Sequence, residues 1–210
     1  MSATICPTVL AADAHDFQTQ INKVALFAKR IQIDLTDGVF APTPTIALEQ
    51  VWIPEGMEVD LHLMFKNPQD QLDEALKLKP HMIIVHAEAE GKFLKLAEIV
   101  HKHGIKVGVA LLANTSTHTI KPSLPEIDHV LIFSGNLGKF GGTADLKLLD
   151  KVTQLKEWKK DLEFGWDGGV NDTNANLLVA GGIDVLNVGG YIQSAPEPKI
   201  NFEKLNLLIA

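Results

Sequence analysis

Short apolar runs alternate with amphipathic stretches from one end of the chain to the other. The runs at residues 4–10, 30–35, 57–64, 82–86, 106–112, 129–133, 162–166 and 185–188 read as strands. Between them, apolar residues at helical spacing predict helices over residues 16–28, 68–77, 92–103, 145–160, 173–180 and 202–208. In the fourth of these, Leu146, Leu149, Val152 and Leu155 recur along one face while lysines fill the other. Pro42, Pro44, Pro122 and Pro125 break up the segments after Asp37 and Leu112, which are too short for full helices.

Near-continuous apolar strands imply burial on both faces, as in a parallel sheet covered by helices. Strands alternating with helices imply repeated βαβ units. Eight such strands predict a closed (β/α)8 barrel of the TIM type. An open, doubly wound sheet is the alternative that periodicity alone leaves standing. No linker or shift in composition divides residues 1–210, so a single barrel domain is expected across them.

Composition narrows the partners. Hydrophobic residues make up 46% with few aromatics, as in an ordinary soluble globular protein. A net charge of −7 argues against nucleic acid and anionic membranes, both of which need a basic face. Arg30 is the one arginine, so phosphate recognition must lean on lysines or backbone N–H groups. Cys6 is the one cysteine, which excludes a disulfide framework and a thiolate metal cluster. Residues 1–5 carry no basic region and no long apolar run, so no signal peptide is expected, and no stretch approaches a membrane span. The cytoplasm is the default compartment.

The polar residues set into this pattern share a location. Asp34, His62, His86, Ser134 and Asp167 each lie at or near the C-terminal end of a predicted strand, the rim where such barrels build active sites. Glycines give the second signal: Gly141-Gly142, Gly168-Gly169 and Gly189-Gly190 follow the last three strands. One pair would make only a tight turn. Three pairs on adjacent strands, with a helix following, form a phosphate cradle of backbone N–H groups. His101, His103, His118 and His129 read as surface or loop residues without a role.

Together these residues resemble the ribulose-phosphate 3-epimerase family. The likeness begins at Ile5-Cys6-Pro7-Thr8-Val9-Leu10-Ala11-Ala12-Asp13 and continues through Asp34-Leu35-Thr36-Asp37-Gly38 with Phe40 and Pro42. It runs on through Asp60-Leu61-His62-Leu63-Met64, Val85-His86-Ala87-Glu88-Ala89, Gly108-Val109-Ala110-Leu111 and Asp167-Gly168-Gly169-Val170-Asn171, and ends at the Gly189-Gly190 turn. The resemblance implies a ribulose-phosphate-binding barrel that inverts carbon 3 of a ketose phosphate, first of all D-ribulose 5-phosphate to D-xylulose 5-phosphate. In such a mechanism one carboxylate removes the carbon-3 proton to give an enediolate, and the other protonates the opposite face. The resemblance gives these roles to Asp34 and Asp167, which with His62 would also ligate one divalent metal ion (Mn, Zn, Fe, Co or Mg). Thr8 stands where the family has a substrate-contacting serine and keeps the hydroxyl. The likeness also implies a homo-oligomer.

Departures from the family pattern cluster around the ligand. Gln32 stands where the family has a histidine ligand. An amide oxygen suits a hard cation better than zinc or iron, so the ion is weakly held, shifted toward manganese or magnesium, or lost. Thr36 and Phe133 replace methionines while Met64 remains, Gly190 replaces a serine, and the strand-six loop gains a residue and lacks the family's proline, Leu137 standing at its place. Three functions follow: the ketose-phosphate 3-epimerase, an epimerase of another phosphosugar, or a barrel that only binds phosphosugar. A lyase or decarboxylase of the same superfamily would carry an Asp-x-Lys, and no lysine follows Asp34 or Asp60 at that spacing.

Overall fold

Alternate residues of every strand meet different surroundings, and that alternation builds the molecule. In the computed structural model, which describes residues 3–210, eight parallel strands close in sequence order into a barrel. They are β1 (Thr4–Val9), β2 (Arg30–Thr36), β3 (Glu58–Met64), β4 (Met82–His86), β5 (Lys106–Leu111), β6 (His129–Phe133), β7 (Glu163–Asp167) and β8 (Val185–Val188). Closure is made by β1 pairing with β8, with Cys6 opposite Asn187. The open doubly wound alternative is thereby excluded.

One face of each strand belongs to the large outer core. Ile31, Ile33 and Leu35 of β2, Val59, Leu61 and Leu63 of β3, and Leu186 and Val188 of β8 pack there. The helices that cover this face are α1 (Ala14–Val24), α2 (Leu72–Lys77), α3 (Phe93–Lys102), α4 (Leu149–Trp158), α5 (Ala175–Ala180), α6 (Gly190–Gln193) and α7 (Pro198–Ile209). The intervening positions turn inward. A small apolar cluster of Met82, Ile84, Ala110 and Leu131 fills part of the barrel, and polar residues fill the rest.

Two of the predicted helices split at their starts. Residues 68–77 open with a 3-10 turn, Pro68–Gln71, and residues 145–160 with another, Leu146–Leu148, capped by the Asp145 side chain. The segments after β2 and β5 form only 3-10 turns, at Leu48–Gln50, Thr117–Thr119 and Lys121–Glu126, as the prolines require. α6 was not legible from periodicity, being a single turn. α7 starts earlier than apolar spacing suggests, at Pro198, whose missing N–H costs nothing in a first helical turn.

At the N-terminal end of the barrel the interior is ionic. Arg30, buried, donates through Nε to Asp60 Oδ2 and through Nη1 and Nη2 to both oxygens of Glu163, each at 2.8 Å. His129 Nδ1 lies 2.7 Å from Glu163 Oε2, and His81 Nδ1 lies 2.8 Å from Asp60 Oδ1. His129 is therefore a barrel-interior residue rather than a surface one; its place at the start of an apolar strand hid this. The single arginine holds the barrel floor together, at the end opposite the Gly168-Gly169 and Gly189-Gly190 turns. Arg30 and His129 keep the Glu163 carboxyl well below the usual range, against the upward push of its burial.

Arg30→Met leaves buried Asp60 and half-buried Glu163 without their cation. It is expected to lower the unfolding free energy by about 3–5 kcal/mol in urea titrations. Replacing Glu98, whose partner Lys102 is equally exposed, is the control and leaves the midpoint in place. A midpoint as little moved by Arg30→Met as by the control would show that the floor does not depend on this cluster.

Candidate active site

The opposite end of the barrel gathers a second set of inward polar residues, with a different balance of charge. Asp34 on β2 stands in register with His62 on β3, and Asp167 ends β7 across the barrel. Gln32, one inward position below Asp34, reaches both acids: its Nε2 donates to Asp34 Oδ1 at 2.9 Å and to Asp167 Oδ2 at 2.5 Å. The Gln32 Oε1 is buried without a partner. One neutral amide thus bridges two carboxyl groups that no lysine or arginine among the described residues reaches.

Burial dominates the titration of this group. It pushes the Asp34 carboxyl up to about 8, against the opposing hydrogen bond from Gln32. It pushes Asp167 up to about 7, with the nearby Asp34 adding to the rise and His62 and Gln32 opposing it. His62 is drawn down to about 4, chiefly by burial, so its ring is neutral near pH 7. The 2.8 Å contact between His62 Nδ1 and Asp34 Oδ1 is then a hydrogen bond between neutral groups rather than an ion pair.

His86 stands behind His62, with the two Nε2 atoms 2.9 Å apart, so one must donate and the other accept. Glu88 Oε2 lies 3.4 Å from His86 Nδ1, and its Oε1 accepts the Leu112 N–H. A proton on His86 Nδ1 facing that carboxylate leaves His86 Nε2 as acceptor for His62 Nε2–H. His62 Nδ1 then presents its lone pair to the acids. Backing of this kind is how proteins orient a ligating imidazole.

Asp34, His62 and Asp167 offer ligand atoms that all lie within 4.8 Å of one another, a spacing one cation can span. Turning the Gln32 amide about its last bond would bring Oε1 to the point where Nε2 now bridges the acids. The donor set is then one imidazole nitrogen, two carboxylates and one amide oxygen. It fits a divalent ion, and with a single nitrogen it favours a harder one.

Beside the acids lies a recess lined by Thr8, Asp34, Asp167, Asn187 and five of the six predicted glycines, Gly141, Gly168, Gly169, Gly189 and Gly190. Gly142 is not among its lining residues; it packs against Gly135 instead. Ser134 also turns away, its Oγ donating to Thr143 O and accepting from Asp145 N to tie the loop after β6. Gly168 is dictated by that loop as much as by any ligand, since it has φ of 111° and a Cβ there would overlap the Gly135 amide. A Cβ on Gly189 would come within 2.5 Å of the Phe140 ring. Asn187 escaped the sequence reading, although a lone polar residue in the apolar run Val185–Val188 was the available signal. Phe40, whose ring centroid lies 4.7 Å from that of His86, also walls the site.

Comparison with known proteins identifies the family. Residues 4–193 match the model of the Ribulose-phosphate 3 epimerase family. The ribulose-phosphate 3-epimerase of Helicobacter pylori strain 26695 is 32% identical over 209 residues, covering 96% of this chain and 95% of that protein. The Bacillus subtilis enzyme of the same name is 30% identical over 205 residues, covering 93% and 94%. Among solved structures, a 3-hexulose-6-phosphate synthase superposes with a TM-score of 0.75 over the whole of both chains at 17% identity. A 3-keto-L-gulonate-6-phosphate decarboxylase from Vibrio cholerae gives 0.73 at 16%, covering 100% of this chain and 98% of that one. At such identities these two speak for the barrel alone. The family match and the curated relatives, each spanning nearly the whole chain, show that it belongs to the ribulose-phosphate 3-epimerase family of enzymes.

Proposed function

We propose that the protein is a ketose-phosphate 3-epimerase that interconverts D-ribulose 5-phosphate and D-xylulose 5-phosphate. The observation that carries this reading is the pair of carboxyl groups, buried Asp34 and half-buried Asp167, brought to one recess from β2 and β7. In the metal-free site, with values raised to about 8 and about 7, the pair holds roughly one proton near neutrality. That is the charge state an inversion needs. The ionised member takes the proton from carbon 3, the protonated member gives one to the other face, and the roles exchange in the reverse reaction.

In the metal-free site Gln32 Nε2 holds both acids in place and stabilises whichever is ionised; with its amide turned, it offers Oε1 to an ion instead. The N–H groups around Gly141, Gly168, Gly169, Gly189 and Gly190 bind the phosphate, and Thr8 contacts the sugar. Asp34, His62, Asp167 and the Gln32 amide oxygen would hold the divalent ion, which when bound acts as a Lewis acid toward the enediolate oxygens. The decarboxylase reading has no comparable support: Thr36 and His62 occupy the positions where an Asp-x-Lys would need its lysine.

Incubation with D-ribulose 5-phosphate in deuterated water is expected to incorporate deuterium at carbon 3, and Asp34→Asn or Asp167→Asn to slow epimerisation about 10²–10⁴-fold. No incorporation from any ketose phosphate would leave a barrel that only binds phosphosugar. Metal analysis after incubation with manganese is expected to find about one ion per chain. Its complete absence would rule out metal assistance. Stability should report the acid pair too. Asp34 binds its proton more tightly folded than unfolded, so folded stability falls as pH rises from about 4 to about 8. In chelator-treated protein Asp34→Asn should therefore melt higher than the parent at pH 8, with the gap closing toward pH 4; a variant melting lower at pH 8 would contradict the buried-acid description.

A further inference from the structure

Asn187 lines the recess from β8 with nothing among the described residues to satisfy its Oδ1. Leu186 and Val188 join the outer core, so the intervening Asn187 faces the barrel interior. It is 2% exposed, and its Oδ1 has no hydrogen-bond partner. The Thr8 hydroxyl is the same: 2% exposed, unpartnered, and lining the same recess. An amide oxygen left without a donor is destabilising, and buried polar groups nearly always have partners. Here the partner must come from outside the chain.

Position says which part of a ligand it meets. Asn187 is in register with Asp167 on one side, and Gly189 lies two residues further toward the rim. It therefore sits between the carboxyl that handles the reacting carbon and the glycines that gather the phosphate. In a ketopentose 5-phosphate the group between carbon 3 and the phosphate-bearing carbon is the hydroxyl on carbon 4. We infer that Asn187 is a specificity-determining residue that hydrogen-bonds this hydroxyl, accepting its proton at Oδ1. The inference rests on the proposed function for the identity of the sugar, and on β8 geometry for the residue.

A binding measurement separates the two. Calorimetric titration with D-ribulose 5-phosphate and with its 4-deoxy analogue is to be run on the parent and on Asn187→Leu, which keeps the shape and removes the polar atoms. The expected result is about tenfold weaker binding of D-ribulose 5-phosphate by the variant, with the 4-deoxy analogue bound equally by both proteins. The ligand-free variant should melt at or above the parent's temperature, since an unsatisfied atom has been removed. That is the opposite of what a structural role would give. Equal loss for both sugars, or no loss for either, overturns the assignment; the latter is also what a water on Oδ1 would give. Asn187→Ala, which needs no added room, carries the same comparison if the leucine variant does not fold. Deuterium exchange distinguishes the failures: binding without exchange in the parent defeats the epimerase reading and leaves the Asn187 comparison valid. No binding of D-ribulose 5-phosphate by the parent defeats both.

Discussion

Closing a parallel sheet into a barrel forces every second residue of every strand into a space water hardly reaches, and any polar group sent there must find a partner. This protein meets that demand differently at its two ends. On the floor, Arg30 supplies three hydrogen bonds to two carboxylates, and His81 and His129 take up what remains. At the mouth, Asp34 and Asp167 share only the amide of Gln32, and Gln32 Oε1, Thr8 Oγ1 and Asn187 Oδ1 are left open. The first end pairs all its charges, leaving only His129 Nε2 open among the described residues, and serves stability. The second is held in an unfavourable state by the rest of the fold, as expected where proton transfer is to be done near neutral pH.

Partial satisfaction at the mouth also explains the electrostatics. A guanidinium beside Asp34 would have fixed it as a carboxylate, as Arg30 helps to do for Glu163. A neutral amide does not, so burial prevails and both acids retain affinity for a proton. The glutamine at position 32 thus does two things. It places a two-pronged donor between the acids, and it leaves an amide oxygen that fits a hard cation after a half-turn.

Much of this was legible in the sequence. The period of the apolar runs marked all eight strands, because strands covered by helices keep one face apolar throughout. The prolines after Asp37 and Leu112 foretold two missing helices. Asp34, His62 and Asp167 were visible as polar residues ending apolar strands, and the glycine pairs as turns on neighbouring strands. What escaped was whatever depends on contacts across the barrel. Arg30 and Glu163 lie more than a hundred residues apart, and only closure brings them together. Gly142 and Ser134 have the right residue types but are consumed by the loop after β6. His86 could be placed behind His62 only once both rings were seen.

The proposed epimerisation needs two carboxyl groups acting on opposite faces of one carbon. Its most direct test uses Asp34→Asn and Asp167→Asn in deuterated water, with D-ribulose 5-phosphate and D-xylulose 5-phosphate offered separately. Each variant keeps one working base, so each is predicted to retain slow carbon-3 exchange on a single epimer, and the retained epimer to differ between the two variants. Exchange of the same epimer by both variants, or of both epimers by either, would contradict it.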